Sequence, residues 1–119
     1  MTAVPSWFAG TPEPPYFAVI FTSHRTGGDE GYGRMSERMA ELAAQQPGFL
    51  GIESARAESG FGITVSYWKD EEAIRVWKAH LDHAAAQRLG KEKWYAAYSL
   101  RVARVERASA HNGTNQSKD

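Results

Sequence analysis

The chain contains no cysteine. That absence excludes a disulfide framework, a thiolate zinc site, an iron–sulfur cluster and a cysteine nucleophile. Charge of one sign is not in excess either: 14 Lys and Arg stand against 14 Asp and Glu, a formal net charge of zero. Proteins that track phosphates carry a basic surplus or stripe, so no nucleic-acid partner is expected. No apolar run approaches the roughly 20 residues that a bilayer helix needs, and no membrane partner is expected. The first sixteen residues lack the basic start and long apolar stretch of a secretory signal, so the expected location is cytoplasmic. There is also no Gly-x-Ser-x-Gly elbow, P-loop or dinucleotide fingerprint. Acyl transfer by an elbow serine, nucleotide hydrolysis and nicotinamide chemistry all lose their support.

What the chain does have is aromatic side chains: four Trp, five Tyr and five Phe among 119 residues. A length of this order fits one domain. Proline is confined, with Pro5, Pro12, Pro14 and Pro15 accounting for four of the five. Fixed φ and a missing amide donor predict an extended arm over residues 1–15. Ser109 to Asp119 is polar and predicts a flexible tail over residues 108–119, leaving 16–107 as the folded unit.

Within that unit the apolar period switches in order. Phe17 to Thr22 is a strand-type run, closed by Thr26-Gly27-Gly28-Asp29. Tyr32, Met35, Met39 and Leu42 recur at spacings of 3, 4 and 3, which predicts an amphipathic helix that Pro47-Gly48 terminates. Phe49 to Ala57 and Phe61 to Trp68 read as two strands of a hairpin around Glu58-Ser59-Gly60. Asp70 stands at an N-cap position before Glu71 and Glu72, and Ile74, Trp77 and Leu81 mark the buried stripe of a second helix ending near Gly90. Tyr98 to Glu106 alternates as a last strand. The order β-α-β-β-α-β predicts an α+β, ferredoxin-like antiparallel sheet with both helices on one face. Both faces of the first and third strands carry apolar groups, so the face without helices needs its own cover. A second copy of the chain is the simplest one, and a homodimer is expected.

Four segments resemble the antibiotic-biosynthesis-monooxygenase-like family: Gln46-Pro-Gly-Phe-Leu-Gly51, Tyr67-Trp68-Lys-Asp-Glu-Glu-Ala73 with Trp77 and His83 behind it, Pro14-Pro-Tyr-Phe-Ala-Val-Ile-Phe21, and Gln87-Arg-Leu-Gly-Lys-Glu-Lys-Trp-Tyr95. The likeness runs from Pro12 to Arg107. It implies a dimeric α+β barrel and a functionally broad family that includes cofactor-free oxygenases of aromatic polyketides, quinol oxygenases and haem-degrading enzymes. The haem-degrading branch places a His ten residues after the helical Trp and an Asn on the first strand. Here Gln87 follows Trp77 at that distance, and the first strand offers Thr22 and Ser23, so the resemblance gives haem chemistry little support.

Imidazole suits proton abstraction near neutrality, and of His80 and His83, three apart on the second helix, the family likeness favours His83 as the base. Two histidines without a third ligand are a poor metal signal, and no metal is expected. His24 reads as an exposed loop-edge residue. Trp68, Trp77 and Phe21 are expected as aromatic walls, with Ser23 and Tyr98 as hydrogen-bond donors to a ligand oxygen. Trp94 and Tyr95 enter the last strand at either a pocket or an interface. The reading that follows is a cofactor-independent monooxygenase-like protein acting on a small aromatic or quinol-type compound. The alternatives are a non-catalytic dimeric binding or scaffold module and, third, haem binding or degradation.

Overall fold

The computed structural model describes residues 5–25, 32–82 and 95–111. Six elements follow one another: β1 (Tyr16–Arg25), α1 (Tyr32–Ala44), β2 (Phe49–Arg56), β3 (Phe61–Trp68), α2 (Glu71–Asp82) and β4 (Tyr95–Val105). The strands form one antiparallel sheet in the order β2-β3-β1-β4, the ferredoxin-like arrangement. Because β1 and β2 are both antiparallel to β3, they are parallel to each other, and α1 supplies the crossover such a pair requires. His83, Gln87, Gly90 and Trp94, and the Thr26-Gly27-Gly28-Asp29 turn, lie outside the described residues.

The core sits between the sheet and the helices. Ala43 of α1 and Ile74 and Trp77 of α2 close on Trp68, with Phe17, Val19, Met39, Leu42, Phe49 and Ala73 packed around them. The residues of β1 that join this core are odd-numbered, and the residue of β3 is even-numbered. Strand alternation then assigns the whole of each face. Toward the helices point Phe17, Val19, Phe21 and Ser23 of β1, and Gly62, Thr64, Ser66 and Trp68 of β3. Away from them point Ala18, Ile20, Phe61, Ile63, Val65 and Tyr67. The more apolar side of β3 is therefore the one that the helices leave uncovered.

The helix boundaries have local causes. At the start of α2, the Ala73 amide donates to Asp70 Oδ1 at 2.8 Å, an N-cap that contributes about 1 kcal/mol. Gly48 ends the turn after α1 at φ +84°, and a Cβ there would lie 2.7 Å from the Ala73 methyl. Its carbonyl accepts from the Lys69 amide at 2.8 Å, so this turn and the entry to α2 are tied together. Among the described residues no helix is long and apolar enough to cross a membrane.

The proline-rich N-terminal segment turns between Pro5 and Phe8 and lies on the uncovered face of β2. The Ala9 amide donates to Glu53 Oε2 at 2.9 Å, and a Cβ on Gly51 would collide with the Ala9 methyl. The Tyr67 hydroxyl donates to the other oxygen of Glu53 at 2.8 Å. Burial, together with the Glu53 carboxylate, pushes the Tyr67 phenol from 10.0 up to about 12. A folded value above the unfolded one means that the neutral phenol stabilises the fold. That contribution is fully present below pH 10.0 and is lost as the pH rises toward about 12. Thermal melts across this window should fall more steeply for the wild type than for Tyr67→Phe. Parallel curves for the two proteins would contradict the assignment.

Candidate functional site

Strand register sorts the helix-facing side chains into rows that cross the sheet. One end row runs Phe49, Trp68, Phe17, Arg104. The opposite end row runs Arg56, Gly62, Ser23, Tyr98. The two rows stand six residue steps apart along β1, from Phe17 to Ser23, about 20 Å of extended chain. Between them, Ser54, Thr64 and Ser66 put hydroxyls on the side of the sheet that faces the helices.

The first row is hydrophobic scaffold. Trp68 is completely buried (0% exposed), and its indole NH donates to Ser66 Oγ at 2.9 Å. Trp77 stacks on it with ring centroids 6.0 Å apart, and Phe49 meets it edge to face at 5.5 Å. His80, exposed on α2, stacks in turn on Trp77 at 5.5 Å. Trp68 and Trp77 thus brace α2 against the sheet, and Trp68 has no exposed surface with which to touch a ligand.

The polar end has a different character. Phe21 and Tyr98 lie with ring centroids 5.4 Å apart and planes tilted by 40°. Ser23, paired with Tyr98 in register, is a buried polar side chain at 2% exposure. Its Oγ accepts a hydrogen bond from Arg56 Nη2 at 2.7 Å, while Arg56 Nη1 donates to the Gly60 carbonyl. Arg56 and Ser23 stand on strands that are not neighbours, so the guanidinium reaches across β3. Only glycine at position 62 permits this, because a Cβ there would lie 2.7 Å from Arg56 Cζ. His24 points to the other face of the sheet, where its Nε2 lies 3.1 Å from the Ser59 carbonyl at the hairpin tip.

Of the residues singled out from the sequence, the structure brings together Phe21, Ser23 and Tyr98 at one end and Trp68 with Trp77 at the other. His83 lies outside the described residues. The sequence by itself does not single out Arg56 or Gly62, since an arginine near the end of a strand reads as a solvated edge charge. The available signal was the run of small residues at alternate positions of the neighbouring strand, Gly62, Thr64 and Ser66, which leaves room above it. Among the described residues no group of three or more His, Asp or Glu gathers in a way that could hold a metal ion.

Comparison with known proteins follows the same outline. The chain is 56% identical over 97 residues to the uncharacterized protein YqjZ of Bacillus subtilis, covering 82% of this chain and 85% of that one. It is 31% identical over 94 residues to the jasmonate monooxygenase ABM of Pyricularia oryzae, covering 75% of this chain but 43% of that protein's length. Among solved structures, SnoaB, a cofactor-independent oxygenase from Streptomyces nogalater, superposes with a TM-score of 0.64 at 19% identity, over 78% of this chain and 95% of that one. A dabb family protein with a ferredoxin-like fold from Mesorhizobium loti gives 0.55 at 13% identity, over 76% and 96%. At these identities the two structures speak for the fold. Residues 15–89 match the family described as antibiotic biosynthesis monooxygenase, from the start of β1 past the end of α2, and the chain belongs to that family.

Proposed function

We propose that this protein is a cofactor-independent monooxygenase of small phenols or quinols, working as a homodimer. The observation that carries the proposal is the polar end of the helix-facing sheet, where Phe21 and Tyr98 offer aromatic surface directly beside the Ser23 hydroxyl. Family membership and the likeness in fold to an oxygenase named as cofactor-independent support the reaction class.

In this reaction the substrate supplies the electrons. A base removes the phenolic proton, and His83 takes that role in the proposal. The electron-rich arenolate reacts at a ring carbon with O₂. One oxygen atom remains on the ring as a carbonyl and the second leaves as water, which takes up the phenolic proton and the hydrogen displaced from that carbon; the substrate supplies all four electrons that reduce O₂. A phenol and O₂ thus give a quinone and H₂O, with no external reductant. Ser23 and Tyr98 donate hydrogen bonds to the substrate oxygen as charge builds there, and the Phe21 ring forms the aromatic wall beside them.

The test is oxygen uptake by the metal-free protein over a panel of hydroquinones and naphthols, with ¹⁸O₂ labelling. Uptake above autoxidation, with one labelled atom in the product and one in water, is expected. Tyr98→Phe should lower kcat by about 10- to 100-fold if its hydroxyl faces the developing charge. Binding of the same compounds without uptake would favour the non-catalytic module instead.

A further inference from the structure

We infer that Arg56 is a positioning residue that fixes the Ser23 hydroxyl as a donor, so that this end of the sheet takes an aromatic ligand as its oxyanion in preference to the neutral form. The inference rests on the reading above in placing an aromatic compound beside Phe21 and Tyr98.

A serine hydroxyl has one proton to give and two lone pairs. At Ser23 a lone pair is engaged by a cationic donor at 2.7 Å, a distance in the charge-assisted range. A guanidinium has no acceptor, so Arg56 cannot take the hydroxyl proton in return. Buried hydroxyls find partners, and Ser23 is 98% buried, the complement of its 2% exposure. Among the described residues the recorded partner of Ser23 Oγ is Arg56 alone, which leaves the proton for an acceptor that the protein's described part does not supply. Accepting from a cation polarises the O–H bond and makes it a stronger donor. An anionic oxygen is the acceptor that gains most, since it also senses the guanidinium charge one hydrogen bond further back.

The arrangement is built rather than incidental. Arg56 is held at its other nitrogen by the Gly60 carbonyl, and the missing side chain at Gly62 lets it lie across β3. These contacts fix the direction from which Ser23 Oγ receives its bond, and thereby the direction left to its proton. The neighbouring Phe21 and Tyr98 rings, 5.4 Å apart, give the ligand a planar apolar surface within the same corner of the sheet.

The experiment uses 4-nitrophenol, whose phenolate absorbs in the visible, added to the full-length protein at a fixed pH near the ligand's own pKa. Nitrobenzene serves as the neutral counterpart. With the wild type the phenolate band should grow on adding protein, and the phenolate should bind about tenfold or more tighter than nitrobenzene, the effect of one hydrogen bond to a charged group. Ser23→Ala, which keeps every charge, should lose that preference while retaining nitrobenzene affinity. Arg56→Lys should lose it too, because a point charge cannot hold Gly60 and Ser23 together. Circular dichroism and melting curves confirm that each variant is folded. A band unchanged by the wild-type protein, equal binding of the two probes, or an undiminished preference in both variants would overturn the inference. A merely structural staple would shift melting curves without moving the phenolate band. Oxygen uptake is scored separately. Phenolate preference without uptake sinks the oxygenase reading and leaves this site standing, whereas uptake without phenolate preference sinks this inference alone.

Discussion

Trp68→Ala is expected to cost about 3–5 kcal/mol of folding stability, the range for deleting a large buried aromatic side chain. Trp68 is completely buried and sits opposite Phe17 and Phe49 at the row where α1, α2 and the sheet converge. Its removal takes away the stacking partner of Trp77 and the edge-to-face partner of Phe49 together. Ser66 Oγ would lose its donor as well. Small domains have about 5–15 kcal/mol in total, so the variant should lie near the limit of folding at physiological temperature. Urea denaturation gives the check, with the midpoint falling sharply for Trp68→Ala. Trp68→Phe keeps a ring in the slot and should lose less than half as much. Because Trp68 and Trp77 share one stacked contact, their alanine substitutions should be less than additive in a double-mutant cycle. Equal losses for the alanine and phenylalanine variants would mean that the indole NH bond, not packing, dominates at this position.

That core was largely legible in the sequence. Apolar spacing of three and four placed Met39 and Leu42 on one stripe, and Ile74 and Trp77 on another, because helical neighbours are fixed by a local repeat. Asp70 announced the start of α2 through a hydrogen bond that spans only three residues. Pro47-Gly48 announced a turn through backbone preferences that are local as well. The β-α-β-β-α-β order then left few topologies for so short a chain.

The polar end of the sheet was legible only in part, and the reason is register. Whether Ser23 meets Gly62 and Tyr98, or residues two positions away, depends on pairings between segments up to seventy-odd positions apart in the chain. No local repeat encodes those pairings. Phe21, Ser23 and Tyr98 each stand out by their chemistry, yet nothing in their spacing separates them from Trp68 by about 20 Å of strand. Arg56 had still less to mark it, since its partner lies two strands away and the contact exists only through what residue 62 lacks. The sequence also left open which face of β3 the helices would cover. An isolated strand with Phe61, Ile63, Val65 and Tyr67 on one side and Gly62, Thr64 and Ser66 on the other would be expected to bury the first set. In the fold, Trp68 decides otherwise, because only the even-numbered face brings it onto Trp77.

This choice of face underlies the other large expected effect, on assembly. Phe61 and Ile63 remain 51% and 40% exposed among the described residues, on the side of the sheet opposite α1 and α2. Ile20 and Val65 lie on the same side, while the N-terminal segment lies on the part near Gly51 and Glu53 and reaches Tyr16, leaving Tyr16 and Ala18 buried. A two-fold contact through this surface would bring each apolar strand face against its own copy, and any substitution there would be felt twice. For the wild type, light scattering should return twice the 13.2 kDa chain mass. Ile63→Asp would place two carboxylates in that interface without partners, at a cost of several kcal/mol each. Dissociation should then become easier by about 10³-fold or more, so that the variant elutes as a single chain at micromolar concentration. The substitution leaves the helix-side core untouched, since residue 63 points away from Trp68 and Trp77. Its circular dichroism should therefore match that of the wild type, which separates loss of assembly from loss of fold. A monomeric wild type would remove the homodimer and require another cover for the apolar face of β3.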